Sequence, residues 1–316
     1  MTNLNNDTAK RPFTLKIKNK LALLSALLLL FLSILFAPDI LNYVKEGLYL
    51  CFNVIIGSVF PFMILTDIIV ATTHFEKITW LRKSFEFLFR INGCAISAFI
   101  MGIFCGFPIG VKVSVDLYKS GYISKEECER LIGFSNNTGP AFIISGIGLG
   151  MRGSIEDGAI LYASMIFSAV ICGLILGRNK NSSCKKTAAA NTSYDFSASI
   201  KSSAINTLYV CAFIVFFSIV CGVLKSAIKN NLIYSLIIPF IEISNSAKSL
   251  SSCSYITQNI EMFLTSFAIS FSGISVHMQA KSFILGTDIS MKTYYKTKLL
   301  QGAISALITL FLIIII

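Results

Sequence analysis

Two runs of helix breakers and small polar residues stand inside sequence that is otherwise apolar enough for a bilayer. The first is Gly106-Phe107-Pro108-Ile109-Gly110-Val111-Lys112. The second is Phe134-Ser135-Asn136-Asn137-Thr138-Gly139-Pro140. A related pattern follows Ser272-Gly273, with His277 and Gln279 about one turn beyond. Lipid cannot hydrogen-bond free N–H and C=O groups, so irregular backbone at membrane depth must be buried in protein or line a wet cavity. Gly/Pro-interrupted apolar segments in matching positions of two halves are a pointer to a transporter's binding site. The chemistry on offer is recognition of a polar solute by freed backbone groups and by the amides and hydroxyls beside them. The candidate solute-binding residues are Gly106, Pro108, Gly110, Lys112, Ser135, Asn136, Asn137, Thr138, Gly139, Gly273, His277 and Gln279.

Two acids complete the set. Asp67 follows Pro61, and Glu242 follows Pro239, each in or beside an apolar run. Charges inside a membrane segment are costly and mark a pathway or a paired site, which makes both candidates for holding a coupling ion. Each residue also has a plainer reading. Lys112 can snorkel to the interface, Asp67 can sit at a segment end, and His277 can hydrogen-bond within a helix interface. Asn136, Asn137 and Thr138 can form only a turn and cap, and Glu242 can pair with Lys112.

Of the 316 residues, 54% are hydrophobic and 14% charged. A soluble domain carries about 25% charged residues, so this is an integral membrane protein. The length allows roughly eight to ten membrane segments of about 20 residues. The formal net charge of +11 comes from Lys and Arg in loops, as the positive-inside bias requires, and no basic stripe lies on a polar domain to bind nucleic acid. Nine cysteines, mostly in apolar runs, and two histidines form no disulfide framework or metal-ligand cluster. Neither a cofactor nor an enzyme site is expected.

In chain order, residues 1–20 are a basic tail expected in the cytoplasm, and 21–37 a first helix stopped by Pro38. Residues 47–72 are apolar and interrupted by Pro61, while 74–91 read as an amphipathic surface helix anchored by Trp80. Residues 92–111 break at 106–110. Ser124-Lys125-Glu126-Glu127 is a capping box opening the helix that leads to Asn136. Glu127 and Arg130 on that helix read as structural. Residues 158–177 span, 178–203 are a polar, basic linker expected to be mobile and cytoplasmic, and 204–224 span again. Then come an apolar run broken at Pro239, a second broken at Gly273, a polar connection over 281–298 and a final helix over 299–316.

Pro61-Phe62 corresponds to Pro239-Phe240, and Gly106 and Lys112 correspond to Gly273 and Gln279. The shared order predicts a two-fold internal repeat, with halves at 21–177 and 204–316 joined by 178–203. If every apolar segment crossed, the basic linker would lie outside; a re-entrant hairpin over 92–111, and by analogy over 260–280, restores it to the inside. The expected fold is an all-α polytopic membrane protein with two broken or re-entrant segments.

The run from Gly106 to Lys112, then Gly121-Tyr122-Ile123-Ser124-Lys125-Glu126-Glu127, Arg130-Leu131 and 134–140, resembles the sporulation integral membrane proteins of the YlbJ type. So does Phe271-Ser272-Gly273-Ile274-Ser275-Val276-His277 with Gln279. The resemblance covers most of residues 50–310. It departs at Phe107 and Val111, where the family pattern has Tyr and Ala. It implies a cell-membrane protein of an endospore-forming bacterium and a nucleoside-recognition gate domain. A fold label does not settle activity. Two functions follow as expectations. One is a permease for a small polar solute, nucleoside-like solutes included, coupled to Na+ or H+. The alternative is a non-transporting scaffold of a sporulation assembly. Oligomeric state is not legible.

Overall fold

The computed structural model describes residues 10–57, 60, 61, 63–65, 68, 78–178 and 195–315, and these form helices joined by turns and short loops, with no strand among them. Helix α1, Lys10–Leu35, presents Leu23, Leu24, Leu27, Leu28 and Phe31 outward, as a lipid-facing helix does. It begins inside the expected basic tail. Pro38 does not end the apolar run but starts the next helix, α2, Ala37–Leu50, where a missing N–H is tolerated. The axis turns by 102° there. A π-helical turn, Cys51–Ile55, continues α2. The Pro61 break lies partly, and Asp67 wholly, outside the described residues.

Helix α3, Thr79–Phe89, has the expected amphipathic character: Trp80 and Phe87 are exposed, while Phe85 and Phe89 are buried. Arg90 terminates it in the left-handed conformation, and Arg130 donates to the carbonyls of Phe89 and Arg90. Arg130 thus satisfies orphaned helix-end carbonyls, a structural role. Glu127 closes the capping box on Ser124 and also accepts from the Asn92 N–H.

Helices α4, Ile96–Phe104, and α5, Ile109–Lys119, pack against each other across a cis Phe107–Pro108 peptide. The segment turns back on itself as a hairpin. Gly102 and Gly110 make the close approach possible: a Cβ on them would lie 1.6 and 2.0 Å from the Ser135 carbonyl oxygen. That carbonyl, at the end of α6 (Lys125–Ser135), is wedged between the arms of the hairpin. Pro140 then opens a π-helical segment, Ala141–Arg152, and α7, Ile155–Gly177, follows.

Beyond the linker, α8 runs over Phe196–Ala227, capped by Asp195. Residues 196–203, expected in the linker, are therefore helical, because the Asp195 carboxylate holds the first turn. Helix α9, Asn231–Ile237, passes through a 3-10 turn at Ile238–Phe240 to α10, Ile243–Ser251. Helices α11, Gln258–Phe271, and α12, Gly273–Ile284, meet at Ser272 and Gly273, both with positive φ. They form one 27-residue span, not the second hairpin expected by analogy. The two left-handed residues kink the chain without reversing it. The last helix, α13, Lys292–Ile315, begins inside what reads in sequence as a polar connection and takes in its last residues, 292–298.

Among the described residues four helices are long and apolar enough to cross a membrane, or six if each of two bent pairs counts as one span. The protein is an all-α polytopic membrane protein.

A buried ion network ties the π-helical segment to α11. Arg152 pairs with Glu261, and also with Asp157 at 2.8 Å. Removing one partner strands a buried charge, so Arg152→Met is expected to destabilise the protein by about 3–5 kcal/mol. Thermal unfolding in detergent checks this. The Arg152→Met/Glu261→Met double variant should recover most of the loss.

Candidate functional site

Four backbone breaks converge in two crossed pairs. The 105–108 turn lies against the 136–140 break, where a Cβ on Gly106 would meet the Gly139 nitrogen at 2.7 Å. The 238–242 break lies against the α11–α12 junction: the Ser275 N–H donates to the Ile241 carbonyl at 3.0 Å, and a Cβ on Gly273 would lie 2.9 Å from that same oxygen. Between the pairs is a cavity of about 40 Å³ lined by Gly106, Thr138, Gly139, Glu242, Ser275 and Gln279, with apolar cover from Ile55, Phe142 and Val210. A water needs roughly 10–15 Å³ on this measure, so the space suits a few waters or a cation. It is far below the roughly 300 Å³ of a small-molecule pocket.

Glu242 is built into the wall by local chemistry. It is the N-cap of α10, accepting from the Ser244 N–H at 3.0 Å and from the Asn245 N–H at 2.7 Å. The Asn245 side-chain amide adds a third donor at 2.9 Å. Capping needs an oxygen acceptor with extended backbone, and Glu242 has φ −152°, ψ 133°. Three N–H donors satisfy the carboxylate, and no cation pairs with it among the described residues. Gln279 supplies the unspent group: its side-chain oxygen is buried without a hydrogen-bond partner. Such an orphan in a native structure asks for a water or ion.

Of the residues expected at the site, Gly106, Thr138, Gly139, Glu242 and Gln279 line the cavity. Thr138 also donates to the Ile269 carbonyl, joining the second break to α11. The others are elsewhere. Lys112 is a full turn into α5, half exposed, and pairs with Asp116 at 3.7 Å, so it neither reaches the break nor meets Glu242. Pro108 precedes α5 as its N-cap and is absent from the cavity wall. Gly110 and Ser135 serve the hairpin packing. Gly273 lies behind the wall, packed on Ile241. His277 hydrogen-bonds the Phe271 carbonyl at 2.8 Å and packs edge-on against Phe271 and Tyr294, a helix-interface role.

Asn136 and Asn137 also lie behind the wall, in a buried network with α13. Asn136 donates to the Tyr294 hydroxyl at 2.8 Å, and Gln301 donates to the Asn137 side-chain oxygen at 2.8 Å. Lys298, fully buried, donates to the Asn136 carbonyl and to Gln301. Tyr294, Lys298 and Gln301 escaped the sequence reading. The signal was present: Tyr294, Lys298, Gln301, Ser305 and Thr309 recur every three or four residues, a polar stripe on one helix face.

Two further spaces flank the cavity. A chamber of about 1090 Å³ carries Lys45, Glu46, Tyr49, Asn53, Asn245 and Lys248, and shares Ala141 with the central cavity. A smaller pocket of about 20 Å³, with Met63, Lys112 and Asn206, shares Cys105 with it. Across the chamber wall Lys248 pairs with Glu46 at 2.9 Å.

Among curated proteins the chain is similar to the sporulation integral membrane protein YlbJ of Bacillus subtilis (strain 168). The two are 26% identical over 311 residues, covering 85% of this chain and 76% of the relative. No protein-family model matches the chain. No solved structure matches it.

Proposed function

A place in a YlbJ-like family, which this likeness supports, is the premise from which we propose that the protein is a permease for a small polar solute, acting in endospore formation. Its location on this reading is the cell membrane, with the N-terminus cytoplasmic on the positive-inside bias. The observation that carries the transport reading is the meeting of four breaks around one cavity holding the Glu242 carboxylate and the unpartnered Gln279 oxygen. A scaffold has no use for freed backbone and an unpartnered amide oxygen at its centre; a transporter has. Each half of the chain contributes one crossed pair of breaks, as a duplicated unit would. The chamber at Lys45 and Lys248 is the vestibule on one side, and the Lys112 pocket begins the path on the other. Glu242 is the group that holds the coupling Na+ or H+.

The cavity volume also bears on the alternative. About 40 Å³ does not admit a nucleoside-sized solute, so such a solute enters only when the breaks part. A non-transporting scaffold would never part them. Reconstituted protein should take up at least one member of a labelled polar-solute panel, nucleosides included, and exchange it against unlabelled solute. Folded protein that neither binds nor exchanges any of them would favour the scaffold.

A further inference from the structure

Lys298 has no part in the reading above, yet it is the largest anomaly in the membrane interior. It is 0% exposed, and no carboxylate pairs with it among the described residues. Its ammonium donates to the Asn136 carbonyl at 2.6 Å and to the Gln301 side-chain oxygen at 2.7 Å. Asn136 is the C-cap of α6, so that carbonyl belongs to a broken helix end. Such ends are negative and carry unpaired carbonyls, and in discontinuous membrane helices they coordinate Na+ or H+. Resting on the transport reading, we infer that Lys298 is a proton-binding site that controls the α6 break. Its ammonium fills, from within the chain, the position that a free alkali cation would take.

The step is simple. The ammonium gives one proton to a water and becomes a neutral amine. The charge-assisted bond to the Asn136 carbonyl is lost, and residues 136–139 are released, with Thr138 and Gly139 carrying the change to the cavity wall. Reprotonation restores the latch. A lysine can do this and an arginine cannot, because only the ammonium changes protonation readily when buried.

The surroundings leave the lysine as the group that responds. Around it are Cys172 of α7, bonded to the Thr297 carbonyl, His277 of α12, and Tyr294 on its own helix. On α6, Glu127 is held by the capping box and Glu129 accepts from the Ser290 N–H. Lys125 pairs with Asp288, Arg130 binds the Phe89 and Arg90 carbonyls, and Glu126 is exposed. Cys128 donates to the Ser114 carbonyl. On α7, Asp157 pairs with Arg152, Glu156 is exposed, and Tyr162 donates to the Ile103 carbonyl. Glu261, the acid of α11, pairs with Arg152.

The test is hydrogen–deuterium exchange of a peptide covering residues 134–142, in full-length protein in lipid nanodiscs, corrected for the intrinsic effect of pH. Wild type should lose protection roughly tenfold between acidic and alkaline buffer, the scale of one lost bond to a charged donor. Lys298→Arg should stay protected in both buffers, and Lys298→Met should be equally exposed in both. Replacing choline by sodium should leave the wild type unchanged. Wild-type protection that ignores pH, a Lys298→Arg profile that follows the wild type, or protection gained with sodium would each overturn the inference. The Arg variant keeps the test decisive if the Met variant fails to fold. The readout needs no solute, so a failed search for the solute leaves it intact. Conversely, pH-independent exchange in a protein that transports would remove the proton site and keep the permease.

Discussion

Gly106→Leu is expected to abolish solute flux while leaving the protein inserted and folded. Gly106 has φ +81°, a conformation that costs a side-chain-bearing residue about 1–2 kcal/mol. A Cβ there would lie 2.7 Å from the Gly139 backbone nitrogen, and backbone cannot move aside as a side chain can. The two crossed breaks must separate to admit leucine, and the rest of its side chain then fills a cavity of about 40 Å³. Hydrophobicity rises, so insertion is unaffected. Gly286→Ala is the control: its φ of +78° gives the same backbone strain, but nothing lies within 4 Å of the added carbon. It should lose about 1–2 kcal/mol of stability and transport normally. Uptake into proteoliposomes, read beside monodispersity in detergent, separates the two. Wild-type flux through Gly106→Leu would mean that this crossing is not on the path.

Glu242→Gln is expected to remove the cation or pH dependence of transport, and Glu242→Ala to remove stability as well. The glutamine keeps an oxygen that can cap α10 but loses the charge that would hold a cation. The alanine leaves the Ser244 and Asn245 N–H groups and the Asn245 amide without their acceptor. Loss of a helix N-cap costs about 1 kcal/mol, and buried donors left unpaired cost more. The Ala variant should therefore melt lower than the Gln variant, while both lose coupling. Flux measured against imposed sodium and proton gradients gives the functional half, and thermal unfolding the structural half. A Gln variant with unchanged dependence on both ions would confine Glu242 to capping.

The breaks were legible in the sequence because their causes are local. Glycine with positive φ, a proline without an N–H, and a Ser-x-x-Glu cap act on their own few residues, whatever packs around them. Gly106 and Gly139 stand out as breakers, Glu242 as an acid in an apolar run and Gln279 by its place about one turn past Gly273, and all four line the cavity. The turn of the first hairpin falls at the expected 106–110 run, but its second arm continues to Lys119, beyond the expected end at 111. The analogy that extended a hairpin to 260–280 misled. Whether a glycine pair reverses a helix or only kinks it depends on what the far side packs against, and here Ile241 accepts the Ser275 N–H and holds the chain on course.

Lysines 112 and 298 mark the boundary between the two kinds of knowledge. Composition alone determined that this chain lives in a membrane, and Gly/Pro chemistry alone determined where its helices break. Both lysines lie beside apolar runs, and local sequence treats them alike. Lys112 faces outward from α5 and pairs with Asp116, while Lys298 turns inward beneath the Asn136 carbonyl and is fully buried. A helix face acquires its environment from the elements that pack on it. For α13 these are α6, α7 and α11, up to about 170 residues earlier in the chain. The choice between an interfacial anchor and a buried latch was made by tertiary packing, because burial belongs to neighbours that no local stretch of sequence contains.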